Sequence, residues 1–412
     1  MPLSLSRRTL LRSAALGAAV ALTVAGCKQP DATTSADSNG APASTTTQTA
    51  KAKPYPADAK TIVLGEYGSL TGGTATFGQS TDKAIKMAIE EINAKGGVLG
   101  KPVEVSVEDD GSRADQVPGA VLKLINQKNV LAILGEVASS SSLKAAPICQ
   151  DAGVPMLSPT STNPKVTQVG DYIFRACFID SYVGEALAQF SRQKLNAKTA
   201  AIFTDVKSDY SKGLSQYFKD SFTKAGGQIV AEESYSQGDT NFRPQLTNIK
   251  AKNPDVIYIP GYYTEVGNIA VQARSAGLNR QTLLGSDGWD SPELFKIGGK
   301  ALDGSYFTNH YSPASQDPKV VKFVGDYKKK YGQEPDALAA VAYDAAYLMF
   351  DAIKRAGALD RAKLRDALAA TKDFQGVTGN ITMDKDRNAQ KPLVFIEIKD
   401  GKTQVVEGVK PG

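Results

Sequence analysis

A handful of short polar clusters carry most of the chemistry this chain could perform, and nearly all of them follow an apolar run. The first is Gly65-Glu66-Tyr67-Gly68-Ser69-Leu70-Thr71-Gly72-Gly73, with Phe77-Gly78 just beyond it. Its glycines permit close backbone approach, but the spacing is not the dinucleotide fingerprint and lacks the Lys-Ser/Thr of a phosphate loop. The second is Gly135-Glu136-Val137-Ala138-Ser139-Ser140-Ser141-Ser142. Ser139 can cap the helix that follows, and the free amides of such a helix end suit a small carboxylate. In the third, Leu157-Ser158-Pro159-Thr160-Ser161-Thr162-Asn163-Pro164, two prolines fix a loop that presents hydroxyls and carbonyls. Asp209-Tyr210 opens a helix, Gly261-Tyr262-Tyr263 follows a strand, and Ser286-Asp287-Gly288-Trp289-Asp290 holds the single tryptophan. Each has an ordinary alternative: rim packing for the tyrosines, and helix capping for an aspartate, above all Asp290 before Ser291-Pro292. Taken together, they offer hydroxyls and a helix N-terminus on one side and an aspartate with tyrosines on the other. That pattern complements a zwitterion, because a buried charge must be paired.

Other chemistries are excluded. His310 is the only histidine, which removes His-based triads and multi-His zinc sites. Three cysteines, Cys27, Cys149 and Cys177, cannot build a disulfide framework or a Cys-rich metal site. No catalytic set, metal site or cofactor is therefore expected, and the chain does not read as an enzyme. Lys plus Arg number 48 against 43 Asp plus Glu; without Arg7, Arg8 and Arg12 of an N-terminal export segment the net charge is about +2. That is too little for the footprint of a nucleic-acid binder.

The elements that must position these clusters alternate. Thr61–Gly65 reads as a buried strand, and Ala84, Ile85, Ala88, Ile89 and Ile92 fall at helical spacing before Gly96-Gly97. Val103, Val105 and Val107 alternate as a strand, Val117–Ile125 forms a helix, and Val130–Leu134 a third strand. The order recurs: strand Thr199–Thr204, helix Tyr210–Ala225, strand Gln228–Tyr235, a helix through Leu246 and Ile249, and strand Asp255–Ile259. Two stretches are locally alike, Ile125–Gly135 and Ile249–Gly261, each a helix end, an Asn, an apolar run and a Gly. This predicts an α/β chain with two doubly wound parallel-sheet lobes. In such sheets ligands bind beyond the carboxyl ends of the strands, where the polar clusters lie.

Residues 1–26 read as a signal peptide: Arg7, Arg8 and Arg12 precede an uncharged stretch from Ser13 to Gly26. That stretch is shorter than the ~20 apolar residues a membrane span needs. Thr23-Val24-Ala25-Gly26-Cys27 resembles the bacterial lipobox, which makes Cys27 the lipidated residue, and Arg7-Arg8 also resembles a twin-arginine signal. Residues 27–59 are then expected as lipidated Cys and disordered tether, rich in Ala, Ser and Thr.

From about residue 60 to 400 the chain resembles the substrate-binding proteins of branched-chain amino acid ABC importers, of the leucine/isoleucine/valine type. The motifs that carry the resemblance are Gly65–Gly78, Glu90–Gly100, Gly135–Ser140, Ser158–Pro164, Gly261-Tyr262 and Gly285–Trp289. It implies a type I periplasmic-binding fold with a three-segment hinge. Crossings near Ser181, Ser305 and Val377 would divide it into lobe 1 (60–180 and 305–376) and lobe 2 (181–304 and 377–412). It further implies that Ser139 and Thr162 hold the ligand carboxylate, and that the Thr160 carbonyl meets the ammonium. Asp287 would pair with that ammonium, Tyr210 and Tyr262 would close over the ligand, and Phe77 with Val137 and Ala138 would line the side-chain pocket. At 287 the leucine type carries Glu, one methylene longer, and a disulfide of some relatives has no counterpart at Gly111 and Ala138. The implied protein is an extracytoplasmic, lipid-anchored monomer of the bacterial periplasm or envelope, delivering an apolar amino acid to an inner-membrane ABC permease. Alternatives keep the fold but change the ligand to an amide, urea or an aromatic acid, or make it a ligand sensor. Against a sensor, no kinase, DNA-binding or membrane-spanning segment is legible; against a Rossmann-type enzyme, the glycine fingerprint is missing.

Overall fold

The structure, a computed structural model, describes residues 51–409; the signal segment, Cys27 and most of the tether lie outside the described residues. The first lobe starts with β1 (Ile62–Gly68) and continues through α1 (Ala75–Ala94), β2 (Val103–Asp109), α2 (Val117–Asn126), β3 (Ile133–Leu134), α3 (Ser139–Ala152), β4 (Met156–Ser158), α4 (Lys165–Gln168) and β5 (Ile173–Arg175). Its strands pair in parallel in the order β2-β1-β3-β4-β5. After α5 (Asp180–Gln193) the design repeats with β6 (Thr199–Asp205), α6 (Asp209–Lys224), β7 (Gln228–Tyr235), α7 (Arg243–Lys252), β8 (Val256–Tyr258), α8 (Tyr263–Ser275), β9 (Thr282–Gly285), α9 (Pro292–Gly298) and β10 (Ser305–Asn309). These strands run β7-β6-β8-β9-β10, the same winding order, again in parallel. The likeness of the two sequence stretches has a local cause: Asn129 (φ 47°) and Asn253 (φ 50°) both take the left-handed conformation ahead of β3 and β8. Asparagine tolerates that region better than most side chains, so it turns the chain from helix to strand.

The chain then supplies α10 (Pro318–Tyr331), α11 (Ala337–Ala356) and α12 (Arg361–Ala369) to lobe 1. Ala339, Ala340, Ala342, Ala345 and Ala346 let α11 lie close against α1, burying Leu348, Met349 and Ile353 with Ile85, Ala88 and Ile92 in one core. A small antiparallel sheet of β11 (Phe374–Gly376), β12 (Gly379–Met383) and β13 (Ala389–Gln390) follows. Finally β14 (Leu393–Lys399) extends the second sheet antiparallel to β10, and β15 (Lys402–Val409) adds to its edge antiparallel to β14.

Two of the expected crossings shift. Ser305–Asn309 pairs with β9 and β14, so the chain leaves lobe 2 after Asn309 and not before Ser305. Ile381, Met383 and Ala389 sit in the core of lobe 1, so the return falls at Lys391–Pro392 and not near Val377. The apolar pattern marks a strand but does not name its sheet. The tether also ends earlier than expected, because residues 51–59 lie along lobe 1. The Tyr55 hydroxyl donates to Thr61 O (3.1 Å) and accepts from Val63 N–H (2.9 Å), and Arg361 donates to Lys53 O (2.7 Å). One aromatic anchor flanked by Pro54 and Pro56, which restrict the unfolded chain, is enough to fix this stretch.

Candidate functional site

The two equivalent switch points, beyond β1 and β3 in lobe 1 and beyond β6 and β8 in lobe 2, face each other, and every expected ligand residue lies beside them. Phe77 is in the first turn of α1, Ser139 is the first residue of α3, and Thr160 and Thr162 occupy the loop after β4. Tyr210 is in the first turn of α6, Tyr262 is the N-cap of α8, and Asp287 follows β9. All seven are buried.

On the lobe 1 side, α3 opens at Ser139 with Ala138 as its N-cap, so Ser139 does not cap the helix as expected. Its Oγ accepts from Asn163 N–H instead (3.2 Å), which joins the serine cluster to the loop after β4. Ser141 N–H and Ser142 N–H both bond to Ala138 O (3.1 Å each), which leaves the Ser139 and Ser140 amides of the first turn to meet an anion. That loop is held from beneath by the buried Arg175 guanidinium, which donates to the carbonyls of Ser161 and Asn163. Thr160 Oγ1 and Thr162 Oγ1 are buried without a hydrogen-bond partner among the described residues. Unpartnered hydroxyls in a buried place are costly, and the Thr162 side chain lies beside the buried Asp180 carboxyl.

On the lobe 2 side, the Tyr210 hydroxyl donates to Asp287 Oδ1 (2.9 Å) and accepts from Gly288 N–H (3.0 Å). Burial, reinforced by the Asp287 charge, pushes the Tyr210 phenol well above its ordinary range, so it stays a donor. Tyr210 stacks on Tyr262 with centroids 5.3 Å apart, and Phe77 meets Tyr262 edge-on at 5.5 Å across the cleft. Gly288 is required between them: a Cβ there would fall 2.8 Å from Gly261 O and 2.9 Å from the Tyr262 ring.

Further bonds bridge the lobes. Ser140 Oγ and Asp209 Oδ2 are 3.1 Å apart, and Asn163 Nδ2 donates to Asp209 O (2.8 Å). On the other flank Thr76 Oγ1 meets Ser291 Oγ (3.0 Å), and Thr264 Oγ1 donates to Gly73 O (3.0 Å). The lobes are closed on each other.

Sequence reasoning missed several participants. Asp290 is not a cap for its own helix, where Ser291 serves; its Oδ2 accepts from Ala337 N–H (2.7 Å) and Asn309 Nδ2 (2.9 Å). It caps α11 through space. Leu338, at the start of α11, joins the cluster of Phe77, Val137, Tyr210 and Tyr262. Asp180 is fully buried with neither carboxylate oxygen partnered among the described residues, and burial pushes its pKa up to about 8. His310 Nε2 lies 3.2 Å from Asp287 Oδ2. No sequence period announces these four, since each acts on a residue far along the chain; only the rarity of histidine here singled out His310.

The Periplasmic binding protein family matches residues 61–403. The chain belongs to that family. Among curated members it is 32% identical over 333 residues to the leucine-, isoleucine-, valine-, threonine- and alanine-binding protein of Pseudomonas aeruginosa, covering 80% of this chain and 88% of that one. Among solved structures it is similar to a leucine-binding protein, LivK, of Thermotoga maritima, with TM-score 0.82 and 42% identity over 85% of this chain and 99% of that one. It is also similar to LivJ of Streptococcus pneumoniae in complex with isoleucine, with TM-score 0.81 and 36% identity over 85% of this chain and all (100%) of that one. The two-lobed fold read from the sequence is that of this family. Cys149 and Cys177 are buried free thiols lodged in different hydrophobic clusters.

Proposed function

We propose that this protein is an extracytoplasmic solute receptor that captures a branched-chain amino acid between its lobes and delivers it to an ABC importer. The observation that carries the reading is the opposition of two unlike surfaces in one closed cleft. Lobe 1 presents a helix N-terminus and the unpartnered Thr160 and Thr162 hydroxyls; lobe 2 presents the buried Asp287 carboxylate, aimed by Tyr210. The first set suits an α-carboxylate and the second an α-ammonium, each charge meeting its partner away from water. In this reading Ser139 and Thr162 bind the carboxylate, the Thr160 carbonyl and Asp287 bind the ammonium, and Phe77, Val137, Ala138 and Leu338 surround an apolar side chain. The names of the Pseudomonas, Thermotoga and Streptococcus relatives support the ligand class.

Capture follows from geometry. Only the closed form makes both sets of contacts at once, so a ligand that bridges them shifts the open–closed equilibrium. The receptor acts as a monomer, held to the envelope by a lipid on Cys27 and presented to the membrane permease on its N-terminal tether. No helix among the described residues is long and apolar enough to cross a membrane.

A thermal-shift panel tests the reading. At 100 times its dissociation constant a ligand stabilises the fold by ~2.7 kcal/mol. A shift with leucine, isoleucine or valine and none with urea, simple amides or benzoates is expected. A shift with benzoates alone would transfer the cleft to aromatic acids and end the amino acid reading.

A further inference from the structure

We propose that His310, at the point where the chain leaves β10 for lobe 1, is a positioning residue for the ligand site: its Nε2–H holds the Asp287 carboxylate, and taking up a second proton weakens capture of the ligand in acid. The proposal rests on the reading of Asp287 as the ammonium partner.

The geometry is specific. Asp287 receives one donor on each oxygen, the Tyr210 hydroxyl on Oδ1 (2.9 Å) and His310 Nε2 on Oδ2 (3.2 Å). A neutral imidazole donates through one nitrogen only, and a carboxylate can only accept, so the proton is on Nε2. Nδ1 is buried without a partner among the described residues, as an unprotonated nitrogen can be. The ring is fixed by stacking on Phe178, centroids 4.0 Å apart and planes at 21°, and its backbone N–H is bonded to Asn309 Oδ1 (2.9 Å). Phe178 lies on the first interlobe segment, ahead of α5, and His310 itself begins the second. The carboxylate that would meet the ligand is therefore aimed from the hinge. These two donors fix the reach of the Asp287 side chain.

A proton on Nδ1 would find no acceptor and would set a cation beside Asp287, cancelling the charge that an ammonium needs. The charged groups around the ring agree. From the turn after β9, Asp287 favours the imidazolium; from the segment ahead of β14, Lys391 opposes it; burial opposes it most and lowers the pKa below the usual imidazole range. Asp180, the first residue of α5, and Cys177, just ahead of it, both feel the Asp287 charge; burial pushes them upward, to about 8 and about 12, so both are neutral in acid. The ligand ammonium and the second His310 proton thus compete for one carboxylate. Affinity is full above the His310 pKa and falls as pH drops through it, by at most about tenfold per pH unit for one linked proton.

Because the chain has a single histidine, tag-free protein labelled with 15N-histidine gives one imidazole signal set. The Nε2–H tautomer is expected at neutral pH, with burial holding the pKa below the usual imidazole range. In parallel, L-leucine affinity is measured by calorimetry from pH 4.5 to 8 on wild type, His310→Gln, His310→Leu and Asp287→Asn. Gln keeps a donor without titrating, so His310→Gln should bind within about threefold of wild type at pH 7.5 and lose the acid limb. His310→Leu should bind about tenfold more weakly, the order expected for losing a hydrogen bond to a charged group. An Nδ1–H tautomer, wild-type affinity in His310→Leu, or an acid limb kept by His310→Gln overturns the inference. If Asp287→Asn abolishes binding while His310→Leu leaves it intact, the inference fails alone. Leucine binding that survives Asp287→Asn, or its absence from wild type, removes the ammonium reading as well. Should His310→Leu fail to fold, the tautomer and the His310→Gln profile still decide.

Discussion

Replacing Asp287 by Asn deletes one charge and almost no volume. The carboxylate is only 4% exposed, and its neighbours are Tyr210 at 2.9 Å and His310 at 3.2 Å. The amide oxygen of Asn can still accept from His310 Nε2–H, and the Tyr210 hydroxyl can accept from the amide N–H, so the turn after β9 should survive. A bound ammonium, by contrast, would be left in a closed cleft without its counter-charge. Breaking one half of a buried ion pair costs about 3–5 kcal/mol. At 1.4 kcal/mol per decade, that is a loss of at least ~100-fold in affinity for L-leucine. The assay is built into the molecule: Trp289, the only tryptophan, is fully buried two residues away and donates its indole N–H to Ile259 O (3.0 Å). A fluorescence titration of wild type and variant, with unfolding curves as the control for folding, reads the effect. Leucine binding within threefold of wild type in a folded Asp287→Asn protein would refute the ion-pair reasoning.

Other consequences are independent of that pair. Gly288→Ala forces a Cβ to 2.8 Å from Gly261 O and 3.0 Å from the Tyr210 hydroxyl, so ligand affinity should drop more than tenfold by calorimetry. Asp180 has its folded pKa raised to about 8, so the folded state binds the extra proton between pH ~4 and ~8 and stability falls as pH rises through that window. Asp180→Asn should match wild type in urea unfolding near pH 4 and exceed it at pH 8.5, by at most on the order of 5 kcal/mol; equal curves at both pH values would refute this. Cys149 and Cys177 are buried, with burial pushing both thiols upward. Both should ignore a thiol reagent in the native protein and react once denatured, and a native disulfide on peptide mapping would contradict the free-thiol structure.

The strands and helices were legible because each lobe writes the same physics twice: short apolar runs for strands buried on both faces, helical spacing for the helices that cover them. The polar clusters were legible for a related reason, since a doubly wound sheet puts its ligand loops directly after its strands, and so Ser139, Thr160, Thr162 and Asp287 stand where spacing alone would look. What the sequence hid depends on which sheet a segment joins. A crossing was expected near Ser305, but Ser305–Asn309 pairs as a strand of the second sheet, and the weakly apolar run from Phe374 to Gln390 gives no sign that Ile381 and Met383 share a core with α11. Asp290 was hidden the same way: it caps Ala337, 47 residues away, and only its neighbour Ser291 shows in the local pattern. His310 was visible as a rarity, but its role needed the hinge and the turn after β9 to be placed side by side.

The central claim is that one cleft recognises both ends of an amino acid. Calorimetry with L-leucine and with 4-methylpentanoate tests it most directly, because the second ligand keeps the side chain and carboxylate but lacks the ammonium. The account predicts tight binding of leucine and a loss of at least ~100-fold for the deaminated analogue, the loss expected for an unpaired buried charge. Equal binding of the two, or binding of the analogue alone, would contradict it.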